Sequence, residues 1–76
     1  MEIDNIFAEI KAEYERSKKL YNDFNSNHEA YAVILEELDE VWDEIKKTKE
    51  IRGNENIHKE LIQVGAMVVK YIENLC

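Results

Sequence analysis

Three glutamates spaced along one helix edge are the residues here that could do chemistry. In the acidic run Glu36-Glu37-Leu38-Asp39-Glu40-Val41-Trp42-Asp43-Glu44, a 3.6-residue period puts Ile34, Leu38, Val41, Trp42 and Ile45 on one face. Glu37, Glu40 and Glu44 form a row along its edge. Carboxylates three and four residues apart repel one another by roughly a few tenths of a kcal/mol per pair. Such a row works against its own helix unless a cation or plain solvent screens it. A hard divalent metal suits the row: magnesium prefers oxygen ligands, keeps part of its water shell, and takes the rest from one or two carboxylates and from substrate phosphates. The alternative is an ordinary solvated acidic face.

Further along, Glu60, Gln63 and Met67 flank the next apolar stripe, in the same relation to the core that Glu37 and Glu40 have on theirs. If the two helices pack antiparallel through a short loop, the two flanks face each other. Lys46, Lys47 and Lys49 follow the acidic run. Cations there complement the C-terminal end of a helix dipole, and they could also reach phosphate oxygens held near the carboxylates. Trp42, mid-stripe, reads as core packing. His28, His58 and Lys59 read as surface, and Cys76 as a bystander with no basic neighbour to lower its pKa.

The elements that must position these residues are helices. Composition is 45% apolar and 36% charged, with two glycines and no proline, which disfavours sheet-and-turn architecture. Ile3, Phe7, Ile10, Tyr14, Tyr21 and Phe24 recur at alternating four- and three-residue steps, with Ser17 in the one slot that is not apolar, and predict a first helix over 3–24. Ser26 and Glu29 match a capping box opening a second helix over 27–49, with Tyr31, Ile34, Leu35, Leu38, Val41, Trp42 and Ile45 facing inward. Glu50 to Asn56 contains Gly53 and reads as the break. A third helix over 55–74 buries Ile57, Leu61, Val64, Val68, Tyr71, Ile72 and Leu75, with Gly65 and Ala66 small enough to admit a close neighbour.

At 76 residues the chain is one domain, 1–76. A fold of that size buries only about 60% of its unfolded surface, so the expected architecture is all-α: a three-helix chain completing an oligomeric bundle, dimer or tetramer, between subunits. The formal charge of −7 argues against a nucleic-acid polymer as partner. The apolar runs Ala30 to Leu35 and Val64 to Val69 are too short to span a membrane, and the acidic start Met1-Glu2-Ile3-Asp4 lacks the basic region of a signal peptide. The expected location is cytoplasmic.

Together, Glu36, Glu37 and Glu40, followed after nineteen residues by Glu60, read E-E-x-x-E then E-x-x-Q. This resembles the all-alpha nucleoside triphosphate pyrophosphohydrolases of the MazG type, whose hallmark is E-x-x-E, a variable spacer, then E-x-x-D on the following helix. The runs His28 to Trp42 and Lys59 to Met67 resemble the small, phage-associated members. The likeness covers roughly half the chain, and it departs from the hallmark at Gln63, whose neutral amide is a weaker ligand for a hard cation than aspartate and cannot act as a base. The resemblance implies magnesium-dependent hydrolysis of a nucleoside or deoxynucleoside triphosphate to monophosphate and pyrophosphate, with manganese as the substitute metal. Glu37, Glu40 and Glu60 would hold the metal, Glu36 would be a further ligand or orient the attacking water, and Lys46, Lys47, Arg52 or Lys70 would contact phosphate. Two other readings remain open: a catalytically degenerate helical nucleotide-binding module, motivated by Gln63, and a plain protein-interaction module whose acidic row is only surface.

Overall fold

A computed structural model describes residues 1–47 and 54–76. Arg52 and Lys49 lie outside the described residues. The described chain is all-helical: α1 (Ile3–Leu20), α2 (Asn27–Lys47) and α3 (Glu55–Leu75). None of these helices is long and apolar enough to cross a membrane.

Helix α1 stops four residues before the predicted end. Tyr21 adopts extended backbone at φ −131° and ψ 155°, and the N–H of Phe24 donates to Asn74 Oδ1 at 2.7 Å instead of to its own helix. A tertiary partner thus outcompetes the local periodicity. The start of α2 follows the capping prediction with one change. Ser26 Oγ accepts from the Glu29 N–H at 3.1 Å, while Glu29 Oε1 reaches back to the N–H of Asn25 at 2.6 Å, one residue further than a standard box.

Helix α3 is the centre of the packing. Both α1 and α2 pack on it, yet α1 and α2 have no Cα pair within 8 Å of each other. Close approach comes from small residues. Ala30 of α2 and Ala66 of α3 are fully buried, and a Cβ added to Gly65 would sit 3.0 Å from Ile10 Cδ1 of α1. Phe24 from the α1–α2 connector caps this core edge-on to Tyr71, with ring centroids 6.5 Å apart at 80°.

The buried face of α3 is not the predicted one. Ala66, Met67 and Lys70 are buried, whereas Leu61, Val68, Ile72 and Leu75 are exposed. On α2, Val41 is buried but Tyr31, Leu35, Leu38 and Ile45 are exposed, and Trp42, expected in the core, is 56% exposed. Ile3, Phe7 and Tyr21 of the α1 stripe are exposed as well, while Ser17, the polar slot, is the buried residue of that helix. The physical reason is shared. Sandwiched between two helices, α3 places Gly65 and Ala66 at its closest approaches, with Met67 and Lys70 buried beside them, and Leu61, Val68 and Ile72 are left facing away from the single chain.

Candidate metal centre

The antiparallel flanks of α2 and α3 meet as the spacing requires. Glu37 and Glu40 sit one turn apart on α2, Glu60 lies in the first half of α3, and one carboxylate oxygen from each lies within 4.8 Å of the other two. Glu37 and Glu60 are half-buried and Glu40 is exposed. Glu37 Oε2 and Glu60 Oε2 are both shut off from solvent and have no hydrogen-bond partner among the described residues. A buried acceptor without a donor is costly. Two in one cluster, on different helices, give the site an all-oxygen donor set.

Electrostatics agree with the geometry. Burial pushes the Glu37 carboxyl above the usual carboxylate range, and the charges of Glu40, Glu60, Glu36 and Glu13 push it further. Burial likewise raises Glu60, and the neighbouring carboxylates of Glu40 and then Glu44 raise it further, with Lys59 opposing. Glu37 and Glu60 therefore resist ionising beside their acidic neighbours. The residues fit a hard divalent ion: oxygen ligands only, converging from two helices, with one exposed edge where water and a phosphate oxygen can complete the coordination.

The remaining predicted site residues divide. Glu36 is exposed and lies outside the cluster, contributing only its charge to Glu37. Lys46 pairs with Asp43 at 3.3 Å and lies over the Trp42 ring, and Lys47 pairs with Glu44 at 3.1 Å. Both are exposed i,i+3 pairs that account for the lysines without a ligand. Gln63 and Lys70, by contrast, share with Glu37 the lining of a cavity of about 420 Å³. His58, read as surface, instead places Nε2 2.9 Å from Glu9 Oε1 and ties α3 to α1.

Glu13, Arg16 and Ser17 line this cavity and carried no functional reading in the sequence. Glu13 adds negative charge beside Glu37 and is bound by Arg16 through contacts of 2.6 and 3.1 Å. Ser17, the third, is 2% exposed and its Oγ has no hydrogen-bond partner among the described residues. Its signal was visible as the polar break in an apolar stripe. Neither Glu13 nor Arg16 had one, since both look like an ordinary solvent-facing ion pair. No family model, no curated relative and no solved structure matches this chain.

Proposed function

We infer that the protein is a magnesium-dependent hydrolase of nucleoside or deoxynucleoside triphosphates, releasing monophosphate and pyrophosphate. The observation that carries this reading is the convergence of Glu37, Glu40 and Glu60 from two helices with two of their oxygens buried and unpartnered. Glu37, Glu40 and Glu60 would hold magnesium or manganese, which supplies neutralisation of the triphosphate charge and a water of lowered pKa. The chain's own residues then orient the substrate. Glu36, on the exposed side next to Glu37, orients the attacking water, and the adjoining cavity excludes bulk solvent from the buried end of the phosphate chain.

The exposed apolar faces of α2 and α3 support association with a second copy, as a dimer or tetramer, in which Leu38, Trp42, Leu61 and Ile72 become covered. Incubating the pure protein with magnesium and a panel of nucleotides tests the hydrolase reading. Pyrophosphate release well above a Glu37→Gln control supports it, and equal release from both sinks it.

A specific observation favours a second reading. Gln63 lines the cavity beside Glu37 where a carboxylate would strengthen the site, so the protein would then be a nucleotide-binding module without turnover. Calorimetry separates the two: nucleotide binding without hydrolysis, and hydrolysis gained by Gln63→Asp, mark the binding module.

A further inference from the structure

Because α1 and α2 both pack on α3 with no Cα of one within 8 Å of the other, a cavity lies between them, with residues of the connector 21–25 in its lining. The cavity there is lined by Ser17 and Arg16 from α1, Phe24 and Asn25 from the connector, Glu37 from α2 and Lys70 from α3, among others. Two of these are buried polar residues. Lys70 is 5% exposed, and its Nζ lies over the face of the Phe24 ring, 4.6 Å from the centroid. Ser17 is 2% exposed, and its Oγ has no hydrogen-bond partner among the described residues. An aromatic face replaces only part of an ammonium's hydration, so a mostly buried lysine favours a counter-charge. A hydroxyl donor lining the same cavity turns that need into a preference for an oxyanion with several acceptor oxygens.

The rest of the lining decides which oxyanion. Glu13, Asp23, Glu29 and Glu37 face the same cavity, and the only other cation there among the described residues, Arg16, is already engaged by Glu13. A bare phosphate entering this cavity meets more negative charge than positive and is repelled. One that arrives with a divalent cation brings its own neutralisation, and Glu37 belongs both to the cavity lining and to the carboxylate cluster.

We propose that Lys70 Nζ and Ser17 Oγ form an oxyanion subsite for the far phosphoryl group of a metal-complexed polyphosphate, so that ligand binds only with its metal. The subsite rests on the reading of Glu37, Glu40 and Glu60 as the metal centre, and it selects Lys70 over the surface lysines Lys46 and Lys47 as the phosphate contact.

Pyrophosphate is the probe, titrated calorimetrically with magnesium and with chelator, while manganese binding alone is followed by electron paramagnetic resonance. The expected result is pyrophosphate binding with magnesium only, weakened at least about tenfold in Lys70→Met, less so in Ser17→Ala, and partly restored in Lys70→Arg, with manganese affinity unchanged in all three. A Lys46→Gln control should bind like the parent. If Lys70→Met, folded by circular dichroism, binds manganese and magnesium pyrophosphate as the parent does, the subsite is overturned and the metal centre stands. If the parent protein binds no manganese, the metal centre falls, and the metal-dependent subsite with it. Pyrophosphate binding as tight in chelator as in magnesium overturns the metal requirement while leaving manganese binding to report separately on the cluster.

Discussion

The backbone N–H of Phe24 donates to the side-chain oxygen of Asn74 at 2.7 Å, across fifty residues of chain. This bond joins the α1–α2 connector to the last turn of α3 and holds the Phe24 ring against Lys70. Removing the acceptor leaves a part-buried donor unsatisfied. Asn74→Ala should cost about 1–2 kcal/mol, read as a lower urea midpoint with unchanged slope.

The carboxylate cluster makes a prediction about pH. Glu37 and Glu60 have folded pKa values raised above their unfolded ones, so between the ordinary glutamate range and the raised values the folded state binds more protons than the unfolded state. Stability in chelator should therefore fall as pH rises through that window, and the penalty should be fully present above it. Saturating magnesium requires the deprotonated cluster and should reverse the slope. Urea midpoints at several pH values, with and without magnesium, check both signs.

Substitution within the cluster separates stability from function. Glu60→Gln removes one repelling charge and should raise the melting temperature in chelator. It should also abolish the magnesium stabilisation, expected for the parent at about 2.7 kcal/mol at a hundredfold excess over Kd. Hydrolysis should drop about a hundredfold, equivalent to ~3 kcal/mol of lost transition-state stabilisation. A variant that is more stable in chelator yet still stabilised by magnesium would show that the acids are merely crowded.

The α1–α3 seam is predicted to tolerate little. Gly65 faces Ile10 with its hypothetical Cβ 3.0 Å from Cδ1 and 3.2 Å from Cγ1. Gly65→Leu gains up to about 1 kcal/mol of helix propensity but must displace Ile10 and the helix behind it. Overpacking of this kind costs about 1–3 kcal/mol, so the net effect should be a lower urea midpoint.

Assembly has its own test. Trp42 is 56% exposed and lies on the same open face as Leu38 and Ile45. Trp42→Glu should leave the helical circular dichroism signal intact while shifting sedimentation velocity toward the single chain. A parent protein that sediments as a monomer at micromolar concentration would count against the bundle between copies.

The existence and order of the helices and the Ser26 cap were legible in the sequence, because each follows from local periodicity or a local hydrogen bond, and the meeting of Glu37, Glu40 and Glu60 followed once the two later helices were packed antiparallel; the end of α1 was not, since it comes at Leu20 rather than at Phe24. Which face of α3 turns inward was not. Periodicity finds the most apolar stripe, and in a helix flanked on both sides the buried stripe is set instead by how near its neighbours come, which selects Ala66, Met67 and Lys70 over Leu61, Val68 and Ile72. The burial of Lys70 was hidden for the same reason. A lysine near a helix end looks like a surface charge until the helix is rotated. Ser17 was visible as an irregularity but had no interpretation without the cavity it lines.

Different helix pairs set two properties of the protein. The three glutamates come from α2 and α3, whereas the neighbouring cavity is also walled by α1, which approaches α3 closely at Ile10 and Gly65. Trimming or enlarging side chains at that approach can retune the size of molecule admitted, giving a small scaffold one adjustable jaw and one fixed jaw.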